Sequence, residues 1–144
     1  MSRQRRGSHT TTRLTVHIEW VTKYRYKVLK GDVQKRVREL IRQDCATLEL
    51  EILKGVVSKD HIHLHIEYAP KLSISEIVKQ LKGRSSRLLQ KDYPSLKKRY
   101  WGQHHWATGY GAWSSGNITD EMVQEYLEHH RKRGDTSDDS FILE

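Results

Sequence analysis

The stretch Asp60-His61-Ile62-His63-Leu64-His65-Ile66-Glu67-Tyr68 alternates polar and apolar residues at a period of two. That period marks a β-strand with one face buried and one face polar. His61, His63, His65 and Glu67 share one face; Ile62, Leu64, Ile66 and Tyr68 share the other. Imidazoles side by side on a rigid backbone make half of a metal site. Neutral imidazole nitrogen binds Mn, Fe, Ni, Cu or Zn, and the strand sets the spacing. A solvated sheet face that merely uses histidine is the plain alternative.

The flanking sequence supplies the rest of a sheet. Leu14, Val16, Ile18 and Trp20 alternate with Thr15, His17, Glu19 and Val21, which predicts a first strand. Lys23-Tyr24-Arg25-Tyr26-Lys27 is a basic, aromatic connection. A helix is predicted from Gly31 or Asp32 to about Thr47, on Val33, Val37, Leu40 and Ile41. A strand from about Glu49 to Ser58 meets the histidine strand through a hairpin at Ser58-Lys59-Asp60. Past Pro70, Ser73 or Ser75 caps a second helix carrying Ile74, Ile77, Val78, Leu81, Leu88 and Leu89. The Trp- and Gly-rich segment from Tyr100 to Gly116 reads as loop plus a fourth strand. Asn117 or Thr119 opens a third helix that ends near His130. The order β-α-β-β-α-β with an appended helix predicts an α+β, ferredoxin-like fold: an antiparallel sheet with helices on one face.

The chain has 144 residues, with 26 Lys and Arg against 18 Asp and Glu, a formal +8. Such a length suits one domain, and such a charge favours an acidic partner, nucleic acid being the commonest. Residues 1–12 form a flexible basic arm in this reading, and 13–133 the folded domain. Residues 134–144 form a disordered acidic tail with Asp135, Asp138, Asp139 and Glu144. Without those four acids, residues 1–133 hold 26 cations over 14 acids, a formal +12. The lone Cys45 excludes an internal disulfide and a cysteine-based zinc cluster. No apolar run reaches the length of a membrane span and no signal peptide is visible, so a cytoplasmic protein is expected.

A second half of the site lies on the terminal helix. Tyr126 and His130 are four residues apart and share a helical face. A phenol with a pKa near 10 is a poor nucleophile unless a metal ion polarises the electrophile, most plausibly a phosphodiester. His130 would bring a third ligand to His61 and His63 while delivering Tyr126 to the same place. Met122, Val123, Tyr126 and Leu127 also form an apolar stripe, so a core role for the tyrosine stays open.

These residues carry a family likeness. Trp20-Val21-Thr22-Lys23-Tyr24-Arg25, Asp60-His61-Ile62-His63, Leu81-Lys82-Gly83, Trp101-Gly102 with Trp106, and Glu125-Tyr126-Leu127 occur in this order. In them the chain resembles the single-tyrosine HUH transposases of small insertion sequences, the TnpA transposase family, from about residue 13 to 133. The resemblance implies a transposase that nicks and joins single-stranded DNA bearing hairpins at the element ends. It also implies a divalent metal ion, Mn²⁺ or Mg²⁺, and no nucleotide cofactor. His61 and His63 look like the metal ligands and Tyr126 like the nucleophile that forms a 5′-phosphotyrosine link. The family usually has glutamine four residues after the tyrosine; here it is His130, which favours Mn²⁺ over Mg²⁺. Family members are homodimers in which one chain's tyrosine helix serves the other's histidine pair.

For DNA binding, Lys79, Lys82, Arg84 and Arg87 on the second helix form a candidate phosphate track. Tyr24 and Arg25 offer the mix of ring and cation that stacks unpaired bases. His17 and Glu19, on the polar face of the first strand, are placed to orient a metal ligand if that strand adjoins the histidine strand. Two other readings remain: a non-catalytic ferredoxin-like nucleic-acid-binding module, and a rolling-circle Rep or relaxase-type nickase.

Overall fold

The computed structural model describes residues 4–99, 105–114, 116, 119–129 and 140–143. His130, Trp101, Gly102 and Asn117 lie outside the described residues. The strands are β1 (Arg5–Arg6), β2 (Thr11–Thr12), β3 (Leu14–Val21), β4 (Glu51–Ser58), β5 (His61–Tyr68), β6 (Gly111–Ser114) and β7 (Ser140–Leu143). The helices are α1 (Gly31–Thr47), α2 (Ile74–Asp92), α3 (Pro94–Arg99) and α4 (Asp120–His129).

The main sheet is antiparallel with order β6-β3-β5-β4-β7. Its first four strands reproduce the ferredoxin-like arrangement, with the first and third strands of the motif at the centre. Alternation then does the sorting. Val16, Ile18 and Trp20 of β3 and Ile62, Leu64 and Ile66 of β5 are all but fully buried. They join Val37, Leu40 and Ile41 of α1 and Ile77, Leu81 and Leu89 of α2 in one core. The polar residues of β3 and β5 therefore face away from α1 and α2. Among the described residues no helix is long and apolar enough to cross a membrane.

Local chemistry explains the element ends. Ser73 caps α2 and Glu76 returns a bond to the Ser73 backbone N–H, a complete capping box. Thr119 Oγ1 accepts from Met122 N at 3.2 Å at the start of α4. Glu49 sits at φ 57°, so the chain turns there and β4 begins at Glu51, two residues later than the pattern predicts. Helix α3 has no counterpart in the periodicity; Pro94, pre-set for a first helical turn, is its only sequence signal. Cys45 is buried and its thiol is pushed up to about 12, by burial first and then Asp44, which removes it as a nucleophile.

Parts of both terminal segments lie among the described residues, while 1–3, 130–139 and 144 lie outside them. The expected flexible arm includes the β1–β2 ladder, and Arg5 lies on Glu67, with Nη2 at 2.6 Å and Nε at 2.8 Å from its carboxylate oxygens. Glu67 is buried, so its carboxylate requires a cation, and the arm provides one. The tail, expected to be disordered, contributes β7, whose Phe141, Ile142 and Leu143 pair with Val57, Val56 and Gly55.

Leu64, at the centre of the core and fully buried, should be among the most costly positions to truncate. Leu64→Ala is expected to lower the unfolding free energy by about 3 kcal/mol in urea titrations. A loss below about 1 kcal/mol would contradict this packing.

Candidate active site

The β3–β5 register builds the polar face. Glu19 stands opposite His63, His17 opposite His65, and Val21 opposite His61. Cross-strand partners on one face stand within side-chain reach, and diagonal ones nearly so. Glu19 is fully buried. Its Oε1 lies 3.6 Å from His61 Nε2 and 4.0 Å from His63 Nδ1.

Each imidazole is oriented from its far side. His61 Nδ1 is 2.8 Å from Asp60 Oδ1, an acceptor, which places a proton on Nδ1 and turns Nε2 towards Glu19. Arg25 grips the other oxygen of Asp60, with Nε at 2.9 Å and Nη2 at 2.8 Å. Burial pushes the Asp60 carboxyl up, but the His61 bond and the Arg25 charge outweigh it and hold the group below its usual range. His63 Nε2 is 3.1 Å from His17 Nδ1. The His17 ring stacks on His65, with centroids 3.9 Å apart and planes 9° apart. Burial, then the neighbouring His17 and His61, lower His63 to about 4, so its imidazole is neutral at pH 7 and able to ligate.

Helix α4 closes over this face. Thr119 and Val123 line a cavity of about 200 Å³ together with His17, His63, His65 and Lys54. Tyr126 is partly buried and packs edge-on against Trp113, with centroids 6.0 Å apart. Its hydroxyl is pushed well above the usual phenol range by burial first and by the charge of Glu19 second. Arg25 Nη1 also donates to Leu127 O at 3.0 Å, tying α4 to the Asp60–His61 pair. Within one chain, the helix that carries Tyr126 thus packs on the face where Glu19 stands by His61 and His63.

The donor set fits a divalent ion: two neutral imidazole nitrogens and a carboxylate, each with a partner that holds its orientation or charge. Among the described residues no three such groups already stand at the spacing of a bound ion.

The DNA candidates divide. Lys79 is exposed on α2. Lys82 is turned inward, its Nζ donating to Ala107 O at 2.7 Å and Gly109 O at 2.8 Å, and burial lowers its pKa. Arg84 is held by Asp44 Oδ1 at 2.7 Å and Gln43 Oε1 at 3.2 Å. Arg87 is exposed and lines a groove of about 860 Å³ with Lys23, Ser86, Gln90 and Lys91. Tyr24 is exposed, with Lys23 Nζ 5.4 Å from its ring centroid. Arg25 is buried in the Asp60 ion pair, a position that leaves its guanidinium to the site rather than to a nucleic-acid base. Sequence reading missed Lys23 as a groove residue; it placed His17 and Glu19 beside the histidine strand only on the condition that the two strands adjoin, which the register meets.

The family model described as Transposase IS200 like matches residues 10–130. The chain is 33% identical over 124 residues to the ISDra2 transposase TnpA of Deinococcus radiodurans, covering 86% of this chain and 89% of that one. It is 32% identical over 122 residues to the transposase for insertion sequence element IS200 of Salmonella typhimurium, covering 85% and 80%. A crystal structure of a candidate transposase from Deinococcus radiodurans superposes with TM-score 0.82 at 30% identity, over 88% of this chain and 98% of that one. The structure of a REP-associated tyrosine transposase bound to a REP hairpin shares the fold, with TM-score 0.56 at 18% identity.

His63 and the fully buried His105 both sit at about 4 against an ordinary 6.5, and burial is the first cause in each. The unfolded chain therefore binds protons between about pH 6.5 and about pH 4 that the folded chain refuses. Stability is complete above that window and drains as the pH falls through it. Thermal melts should show this decline in metal-free protein, and His105→Gln should make it shallower. A melting temperature constant from about pH 7 to about pH 4 would refute these burials.

Proposed function

Because the chain belongs to the IS200-like transposase family, we propose that it nicks and joins single-stranded DNA through Tyr126, with a divalent metal ion, Mn²⁺ or Mg²⁺, as cofactor. The observation that supports this most is the seat of α4 on the histidine face, where Val123 lines one cavity with His63 and Arg25 ties Leu127 to the Asp60–His61 pair. His61 and His63 would hold the ion, joined by His130. When bound, the ion supplies Lewis-acid polarisation of the scissile phosphate.

The chain's own residues do the remainder. Asp60 and Arg25 keep His61 in the tautomer that presents Nε2. Burial and the Glu19 charge keep the phenol protonated in this arrangement, so it is a weak nucleophile until positive charge offsets that carboxylate. The phenolic oxygen then attacks phosphorus, the bond to the 3′ oxygen breaks, and the strand stays on Tyr126 through its 5′-phosphate. The released 3′-hydroxyl later attacks another such link, joining strands without ATP. Excision and insertion of an insertion sequence follow from this pair of steps.

For DNA with hairpins at the element ends, the groove lined by Lys23, Arg87 and Lys91 is the proposed phosphate surface. A homodimer is the proposed working unit, acting in the cytoplasm of a prokaryotic cell. The Arg25–Leu127 contact favours a tyrosine helix that serves its own chain.

Incubation with labelled single-stranded oligonucleotides from the flanking DNA and Mn²⁺ is expected to yield an SDS-resistant adduct. Tyr126→Phe should abolish the adduct and leave retardation of the oligonucleotide intact; His63→Ala should abolish it as well. An adduct that survives Tyr126→Phe would remove Tyr126 as the nucleophile.

The groove carries its own test. Arg87→Ala should weaken binding to all single strands alike and reduce the salt slope by about 0.7, one phosphate contact. Arg84→Ala, whose guanidinium is held by Asp44, should leave that slope unchanged. The reverse pattern in filter-binding titrations across salt would reject the groove.

A further inference from the structure

We propose that Glu19 is a direct ligand of the metal ion, reaching it from β3 beside His61 and His63 of β5. The inference rests on the functional reading above and deepens it.

Three observations carry it. First, the Glu19 carboxylate is fully buried on the histidine face. Carboxylate oxygens are ready donors to a divalent cation, and this one stands between two imidazoles. Second, the spacing suits a shared ion better than a direct bond. The contacts of 3.6 Å and 4.0 Å from Oε1 to the two ring nitrogens are too long for hydrogen bonds. They are a little wider than the ~3.0–3.4 Å between neighbouring ligands of one ion with bonds of about 2.1 Å, so a closing movement of about half an ångström would bring these groups onto one cation. Third, the far nitrogen of each imidazole is already engaged, His61 Nδ1 by Asp60 and His63 Nε2 by His17. The nitrogens that remain for an ion are the two that face Glu19.

Chemically this is a two-histidine, one-carboxylate set, built on two neighbouring strands with no help from the mobile parts of a loop. A carboxylate oxygen beside two imidazoles broadens the site towards Mn²⁺ and other ions that accept mixed N and O donors. Ligation would also draw the Glu19 charge away from the Tyr126 phenol, whose pKa that charge raises.

The test is metal binding by the full-length, chelator-treated protein, read by calorimetric titration with MnCl₂, with circular dichroism melts of each metal-free variant as the control for folding. Glu19→Gln is expected to bind Mn²⁺ at least tenfold more weakly while its metal-free melt matches the parent's. Glu19→His should regain affinity and turn preference from Mn²⁺ to Zn²⁺, a change that a purely structural role would not produce. His63→Ala should lose binding. Wild-type Mn²⁺ affinity in Glu19→Gln with loss in His63→Ala would overturn the role of Glu19 and leave the histidine site standing. Wild-type affinity in His63→Ala would overturn both. A Glu19→Gln melt that falls in step with its affinity would assign Glu19 to the fold and overturn the proposal too.

Discussion

The antiparallel pairing of β3 with β5, running from Leu14↔Tyr68 to Val21↔His61, is the constraint on which everything else rests. Because side chains alternate strictly across a sheet, one register decides both faces at once. It sends Val16, Ile18, Trp20, Ile62, Leu64 and Ile66 into the core under α1 and α2. It sets Glu19 against His63 on the other side. A slip by one residue would bury the histidines and expose the core. Core packing therefore holds the donor set in place, and the polar face needs no packing of its own to stay aligned.

Charge burial organises the same face. Arg25, Asp60 and His61 form a relay in which each group orients the next, and Arg25 and Asp60 are both buried. The relay is set up at a backbone cost: Tyr24 and Arg25 adopt φ of 60° and 52°, left-handed values that disfavour side chains with a Cβ. Thr22 holds that turn, its N–H donating to Asp60 O at 2.9 Å and its carbonyl accepting from Arg25 N at 2.9 Å. Strain of this kind persists where the surroundings over-determine it. Here the return is a guanidinium that holds the Asp60–His61 pair and the end of α4 together.

Much of this was legible in the residues. Period-two runs at 14–21 and 60–68 and helical spacing in α1 and α2 lead directly to the ferredoxin-like order, and the structure bears that out. The faces of β5 were equally readable. What alternation in one strand cannot supply is the register of its neighbour, so the place of Glu19 beside the histidines stayed conditional until the pairing set it opposite His63. Cation lists mislead for a related reason. Lys82, Arg84 and Arg25 each carry a charge in the sequence, yet each spends it on an internal acceptor, Ala107 O, Asp44 or Asp60. Only tertiary contacts tell a solvated cation from a spent one.

The residues between β3 and α1 join the two working surfaces. Lys23 lines the basic groove, and two residues later Arg25 enters the ion pair behind His61. The backbone of Lys23 is bonded to His105 O at 2.9 Å, and Ala107 N to Val21 O at 2.9 Å, so the segment that walls the groove is an extension of the sheet. Lys82 fastens the same segment to α2 through Ala107 O. The groove and the histidine face are thus held by one hydrogen-bonded frame rather than by separate loops. On the proposed function, a strand gripped along the groove and a phosphate presented to Tyr126 would have their relative positions set by that frame. Catalysis by positioning needs the reacting atoms held within a fraction of an ångström, and a scaffold that leaves few soft torsions between grip and site is the means this fold offers.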